Sequence, residues 1–314
     1  MKVEISEILA TLHVVRLPMV TEFRGLRARE VALFQGPSGW GEFSPFLEYD
    51  ALESSRWLAA GIESAFSPPL ESLRESVEVN ATLPAVTDRA EIPTLLARYP
   101  GVRCAKLKMT KDAEANAARI ATVREIDPRI SIRLDVNGAW SVDEAISFLG
   151  NLVGEIEYVE QPCATLEELR ELKREIEIKV AVDEIVRKSA DPFQLDLQGA
   201  ADIVILKSAP LGGNLRARRI AEHFDLPVVV TSALDSAVGI SSGLELAASL
   251  DSHLASGLAT GALFTEDVGE HRIEAGAIKV KRVSPSSLEK LAVEPERFRW
   301  WENRLRECHE VLFA

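Results

Sequence analysis

Residues 130–138, Ile130-Ser131-Ile132-Arg133-Leu134-Asp135-Val136-Asn137-Gly138, decide how this chain is read. A short aliphatic, β-branched run reads as a strand, and it stops being apolar at Asp135. The pattern repeats downstream. Ile156–Glu160 ends in Glu160 before Gln161-Pro162, Lys179–Val182 runs into Asp183-Glu184, and Ile203–Leu206 runs into Lys207. These four charged residues stand 25, 23 and 24 residues apart. That is about one strand-plus-helix unit, so they recur at matching heights on neighbouring strands.

Similar runs lie at Val77–Ala81, Val102–Met109 and Pro227–Thr231, with a weak one near Leu258–Leu263. Amphipathic stretches separate them, such as Asp112–Ile126, Val142–Leu152, Leu166–Ile176, Leu215–Phe224 and Ser236–Leu250. Strands apolar on both faces, each followed by a helix, imply an α/β chain with a parallel sheet covered by helices. Eight such runs predict a closed (β/α) barrel rather than an open sheet. No Gly-x-Gly-x-x-Gly turn follows the first strand, so dinucleotide binding has no support.

The flanks have another rhythm. Val3–Arg16 and Arg27–Gln35 are β-like, Gly36-Pro37-Ser38-Gly39 is a turn before Trp40–Phe43, and Tyr49–Phe66 is helical until Ser67-Pro68-Pro69. Near the other end, Arg272–Arg282 is β-like and Pro295–Phe313 is a helix carrying Trp300 and Trp301. The expected organisation is an α+β unit over 1–75, a barrel over 76–271, and a tail over 272–314 that packs back on the first unit.

The 314 residues suffice for one barrel of roughly 200–250 residues plus a smaller unit. Lys and Arg number 36 against 49 Asp and Glu, a net charge of −13, which excludes a nucleic-acid or anionic-membrane footprint. No apolar stretch reaches the ~20 residues of a membrane span. Cys104, Cys163 and Cys308 lie far apart without a Cys-x-x-Cys pair, so reduced thiols are expected. The opening Met1-Lys2-Val3-Glu4-Ile5 has no apolar signal core. A cytoplasmic location is therefore expected. The oligomeric state is left open, a monomer included.

Three carboxylates on one barrel mouth repel each other and call for a cation. One acid alone reads better as a helix N-cap or a surface charge, but three at matched spacing with a lysine at the fourth do not. All-oxygen ligands from Asp135, Glu160 and Asp183 suit Mg²⁺, with Mn²⁺ a workable substitute. Lys106-Leu107-Lys108 puts two lysines on one strand face, and Lys207 comes from across an eight-stranded ring. A divalent ion on a substrate carboxylate stabilises the dianion left when an α-proton departs. A lysine beside a cation and a second lysine is partly neutral near pH 7 and can act as base. Spacing does not say which lysine is the base and which gives electrostatic support.

This pattern resembles the enolase superfamily, and within it the muconate lactonizing enzyme subgroup. The matching pieces are Lys106-Leu107-Lys108, Asp135-Val136-Asn137, Glu160-Gln161-Pro162, Val182-Asp183-Glu184 and Lys207, with Gly39-Trp40-Gly41-Glu42 similar to the capping-domain turn. The resemblance implies a (β/α)7β-type modified TIM barrel with an α+β capping domain. Phe23-Arg24-Gly25-Leu26, the run from Trp40 to Phe46, the run from Val79 to Val86 and the run from Thr231 to Gly239 are similar to the actinobacterial, o-succinylbenzoate-forming branch. That implies Mg²⁺-dependent syn dehydration of a succinyl-hydroxy-cyclohexadiene carboxylate, a step of menaquinone synthesis. By the same resemblance Asp135, Glu160 and Asp183 hold the metal, Lys108 is the acid/base, Lys207 opposes it and Lys106 tunes it. Asn137 and Glu184 stand behind them.

Substrate contacts are expected from Phe23 and Arg24 in a cap loop over the barrel mouth. Arg24 would partner a carboxylate. Ser208, Gly212, Gly213 and Ser232 would hold the succinyl group. None of the five histidines ends a barrel strand, which disfavours a His-base relative, and Gly257–Phe264 lacks the Asp-x-Asp pair of dipeptide epimerases. Three alternatives remain open: N-succinylamino acid racemisation on the same lysines, a Schiff-base aldolase using Lys207, and a non-catalytic barrel.

Overall fold

The computed structural model describes residues 2–314. Strands β1 (His13–Phe23), β2 (Leu26–Gly36) and β3 (Gly39–Phe43) form an antiparallel sheet. Arg24 and Gly25 join β1 to β2, both left-handed at φ 55° and 73°, as a two-residue hairpin requires. A helix over Ala51–Phe66 covers the sheet, and Asp50 caps it by accepting the Glu53 amide. Helix and sheet meet backbone to backbone. A Cβ on Gly41 would fall 2.2 Å from the Gly61 carbonyl oxygen. The helix Pro295–Phe313 returns here, burying Trp301, Leu305 and Cys308 in one cluster with Phe34, Phe43 and Trp57. Truncating Trp57 or Trp301 to Ala would cost about 3–5 kcal/mol.

The barrel begins after β4 (Ser76–Glu78). Its strands are β5 (Ala81–Leu83), β6 (Cys104–Lys108), β7 (Ser131–Asp135), β8 (Tyr158–Glu160), β9 (Val180–Val182), β10 (Ile203–Leu206) and β11 (Val228–Val230), parallel and in chain order. Two bridge residues close the ring: Ser256 pairs with Val79 and Gly257 with Thr231, both in parallel. Helices follow the first seven strands, and none of the α type lies between Ser256-Gly257 and β12 (Ala277–Lys279). The architecture is (β/α)7β with an α+β cap.

Strand period two sorts the side chains. Leu107, Leu134, Val159, Val182, Val204 and Leu206 face out and pack with helix residues such as Ile120, Leu169, Ile220 and Leu244. Tyr158, Ala181, Ile203, Ile205 and Val229 face in and make a small cluster that plugs the barrel. Inward side chains near the C-terminal strand ends therefore have nothing apolar to join, and they build the site.

Cap side chains also finish barrel helices. The Glu63 carboxylate accepts the Leu215 amide (3.1 Å) at the start of the helix Asn214–Phe224. The Glu42 carboxylate accepts the Ser236 and Gly239 amides (3.2 and 2.9 Å) at the start of the helix Ala237–Ser249. Arg56 donates to the carbonyls of Arg187, Ser189 and Ala190 at the end of the short helix Glu184–Arg187.

Four segments differ from the sequence reading. Val3–Arg16 opens with a helix, Ile5–Leu9, whose Glu7 carboxylate accepts the Glu4 amide at 3.4 Å. Val77–Ala81 divides: Ser76–Glu78 pairs antiparallel with β12, and only Ala81–Leu83 continues the barrel. The eighth strand is Ser256-Gly257, while Thr260–Leu263 is a 3-10 turn. Within Arg272–Arg282 only Ala277–Lys279 is strand, and its buried Ile278 joins the barrel cluster, so this part of the tail lies on the barrel. No helix among the described residues is long and apolar enough to cross a membrane.

Candidate active site

The strand register sets the geometry. Lys108 pairs with Asp135 and Asp135 with Glu160 across three adjacent strands. Asp183 and Lys207 each stand one residue past β9 and β10. All five meet at the C-terminal barrel mouth, beneath a cavity of about 560 Å³ roofed by Phe23, Arg24, Phe46 and Tyr49 of the cap.

Charge is paired densely here. Lys106 Nζ lies 2.9 Å from Asp135 Oδ2 and 3.1 and 3.0 Å from the two Glu160 oxygens. Lys108 Nζ lies 2.5 Å from Asp135 Oδ2 and 2.8 Å from Asn137 Oδ1. Lys207 donates to Asp183 Oδ2, and Arg187 Nε stands 3.2 Å from Asp183 Oδ1. Burial opposes ionisation of Asp135, but Lys106 and Lys108 outweigh it and hold its pKa down. Burial likewise opposes ionisation of Asp183, and Lys207 and Arg187 outweigh it. Glu160 goes the other way, pushed up to about 7 by burial and by Asp135. Burial disfavours the Lys106 ammonium, yet Asp135 and Glu160 raise its pKa well above the usual value. The partial neutrality expected of a lysine beside a second lysine therefore does not apply to Lys106, because two carboxylates touch it.

Among the described residues no three acid, His or Cys side chains stand together as a ready metal cage. Lysine ammonium groups hold the carboxylates instead. Two deep oxygens accept no hydrogen bond: Asp135 Oδ1, and Asp183 Oδ1, which has only the ion-pair contact with Arg187 Nε at 3.2 Å. Buried, acceptor-only oxygens of this kind fit a hard divalent cation. The donor set that could hold one is Asp135, Glu160 and Asp183.

Loop chemistry aims these groups. Gln161 is buried at φ 41°. Its Oε1 accepts the Asp183 and Ile185 amides (3.1 and 3.3 Å), and its Nε2 donates to the Cys163 carbonyl. It thereby ties the end of β8 to the end of β9. Asn137, at φ 55°, accepts from Lys108 and donates to Glu184 Oε1 (3.1 Å). Asparagine tolerates this left-handed conformation better than most residues.

Phe23, Arg24 and Ser232 line the cavity. Arg24 is engaged by Glu48 (3.1 Å) and Tyr49 (3.0 Å) and stacks on Phe46. Ser208, Gly212 and Gly213 do not line it. Ser208–Leu211 forms a helical turn that directs them towards the cap. Ser208 bonds Ser242, and a Cβ on Gly213 would meet the Glu63 carboxylate at 2.6 Å. Sequence reasoning passed over Tyr49, Arg187, Lys188, Thr82, Thr231 and Thr260, all on the cavity wall. The Thr231 hydroxyl is buried without a partner. Thr231 and Ser232 lie in the family-like run from Thr231 to Gly239, but Tyr49 and Arg187 meet across 138 residues and carry no local signal.

Two family models match the chain: enolase N-terminal domain-like over residues 14–65, and enolase C-terminal domain-like over residues 91–284. The o-succinylbenzoate synthase of Mycobacterium marinum is 47% identical, the match spanning 98% of this chain and 96% of that one. The chain belongs to the o-succinylbenzoate synthase family of the enolase superfamily. The family member from Mycolicibacterium smegmatis is 45% identical over 98% of each chain. Among solved structures, an N-succinyl Arg/Lys racemase from Bacillus cereus superposes with TM-score 0.75 at 19% identity, covering 90% of this chain and 97% of its own. Muconate lactonizing enzyme from Pseudomonas putida gives 0.71 at 21%, covering 90% and 98%. At these identities the superpositions speak for the fold alone.

Proposed function

We propose that the protein is a cytoplasmic Mg²⁺-dependent hydro-lyase of menaquinone synthesis. It converts 2-succinyl-6-hydroxy-2,4-cyclohexadiene-1-carboxylate to o-succinylbenzoate by syn dehydration. The observation that carries this reading is the pair Lys108 and Lys207 on two walls of one cavity, with Asp135, Glu160 and Asp183 beneath it. Relatives named o-succinylbenzoate synthase over nearly the whole chain support the substrate.

Bound by Asp135, Glu160 and Asp183, Mg²⁺ would supply an electrophile that offsets negative charge building on the substrate carboxylate. Lys108, held by Asn137 Oδ1, acts in its neutral amine form and takes the proton α to that carboxylate, becoming an ammonium. The same ammonium then protonates the hydroxyl leaving from the same ring face. One C–H and one C–O bond break, water departs and the ring becomes aromatic. Lys207 remains charged on the opposite wall and stabilises the developing anion. Lys106 would keep a positive charge beside Asp135 and Glu160, under the reacting centre. Phe23 and Arg24 at the hairpin tip shield the mouth from water, and Arg24 faces the distal carboxylate. Ser232, with Thr260 2.5 Å from its hydroxyl, offers a polar wall for the succinyl chain.

Two lysines flanking one carbon also suit proton removal on one face and return on the other. N-succinylamino acid racemisation is therefore the second reading. The deciding experiment is a paired assay with Mg²⁺ and with excess chelator: dehydration followed by absorbance, racemisation by polarimetry. Chelator-sensitive dehydration is expected. Racemisation without dehydration would overturn the substrate assignment.

A further inference from the structure

Tyr49 lies far from the reacting centre in sequence and carries no charge, yet its oxygen joins two arginines from different parts of the chain. Arg24 Nη2 donates to it at 3.0 Å from the cap hairpin, and Arg187 Nη1 at 3.2 Å from the barrel. A phenol oxygen has two acceptor sites and one hydrogen, and guanidinium groups only donate. Both acceptor sites are thus taken. Arg187 continues the connection. Its Nη2 donates to Glu184 Oε1 at 2.8 Å. The same oxygen accepts Asn137 Nδ2 at 3.1 Å, and Asn137 Oδ1 accepts Lys108 Nζ at 2.8 Å.

Each link has a fixed polarity. The guanidinium donates, the carboxylate accepts, and the amide must turn its NH₂ to Glu184 and its oxygen to Lys108. Flipping Asn137 would set an NH₂ against an ammonium and a carbonyl oxygen against a carboxylate. Glu184 Oε2 is buried with no partner, so Arg187 and Asn137 alone set that carboxylate's orientation. The other end is equally constrained. Arg24 sits in a two-residue turn and stacks 3.9 Å over the Phe46 ring, while the neighbouring Phe23 ring lies 5.8 Å from Lys108 Nζ.

We propose that Tyr49 is a positioning residue that couples the cap hairpin to Lys108 through this chain of hydrogen bonds. It sets the orientation of the lysine without touching the reacting atoms. The kinetic part of the inference rests on the dehydration reading above. Without the phenol oxygen, two guanidinium groups face each other with no shared acceptor, and Arg187 loses one of the three partners that fix its plane.

The test is Tyr49→Phe in the full chain. The ring keeps its packing on Phe46 and Trp57 (centroids 5.7 and 6.3 Å away), and one oxygen is lost. Hydrogen bonds to charged donors are strong enough that kcat for dehydration is expected to fall about tenfold. Combined with Asn137→Ala, the Tyr49→Phe effect should shrink to less than threefold, because the chain is already cut. Additive losses, or an unchanged kcat in Tyr49→Phe, would overturn the proposal, since separate structural roles would simply multiply. A substrate-free readout separates this from the function itself. Amide hydrogen exchange in Tyr49→Phe should quicken at both residues 20–26 and 136–139. Quickening at the hairpin alone, or at neither segment, would overturn the coupling. If wild-type protein does not dehydrate the substrate, the function reading fails and the exchange data alone judge Tyr49. If Tyr49→Phe does not fold, Asn137→Ala read at residues 20–26 decides: quickening supports the chain, and no change refutes it.

Discussion

Lys106→Met keeps the length of a side chain that is 6% exposed and deletes its charge. The ammonium lies 2.9–3.1 Å from three carboxylate oxygens of Asp135 and Glu160. At an effective dielectric near 20, each such ion pair is worth about 5 kcal/mol, and burying the ammonium gives several kcal/mol back. Breaking a buried pair of this kind costs about 3–5 kcal/mol, or a Tm loss of roughly 5–8 °C in a chain of this size. If Asp135, Glu160 and Asp183 form a cation site, Mg²⁺ should repair the variant. Saturation at about a hundred times Kd returns about 2.7 kcal/mol. The gain should exceed that of wild type, where the ion must displace Lys106 from the same oxygens. Melting curves in chelator and in Mg²⁺ measure this directly. No Mg²⁺ gain in either protein would refute the metal-site reasoning, an equal gain in both would refute the displacement of Lys106, and an unchanged Tm in chelator would refute the claim that Lys106 neutralises the two acids.

Lys108→Ala and Lys207→Ala should each lower kcat by about 10²–10⁴ while circular dichroism stays native, since both groups act at the mouth rather than in the core. Glu42 is pushed up to about 7 by burial and by Asp235. Its folded pKa lies above its unfolded one, so the folded state binds the extra proton and stability falls as pH rises from about 4.5 to 7. Glu42→Gln should remove up to about 3 kcal/mol of that fall, seen as a flatter Tm between pH 5 and 8, and an unchanged slope would count against it. Gly213→Ala should lower Tm by several degrees and leave KM within twofold, because φ 114° and the Glu63 carboxylate resist a Cβ there while the cavity lies elsewhere. A KM effect without a Tm effect would restore Gly213 to the substrate site.

The barrel and its charged strand ends were legible because both rest on local signals. Period two, matched spacing and a change from apolar to charged at Asp135, Glu160, Asp183 and Lys207 need no knowledge of distant contacts. The eighth strand was misplaced because Ser256-Gly257 is two small residues whose pairing comes from both neighbours and not from their own propensity. Val77–Ala81 read as one strand because nothing local marks where it leaves β12 and enters the ring. Ser208, Gly212 and Gly213 were assigned to substrate on the ground that small residues after a strand can cradle a ligand. The helical turn Ser208–Leu211 turns that loop to the cap instead. Tyr49 and Arg187 were invisible for the opposite reason. Their importance comes from meeting each other, and no window of sequence contains both.

Glu63, Glu42 and Arg56 have a wider consequence for how the chain comes apart. The barrel leaves amides at two helix starts and carbonyls at one helix end for the cap to satisfy. The cap is thus a missing piece of barrel secondary structure as well as a lid. Separating the two would expose apolar surface on both sides and helix-end backbone groups of the barrel at once. The molecule should therefore lose its cap and its barrel in a single cooperative transition. A cap transplanted from a relative would dock only if it brought an acid to each helix start and a base to the helix end.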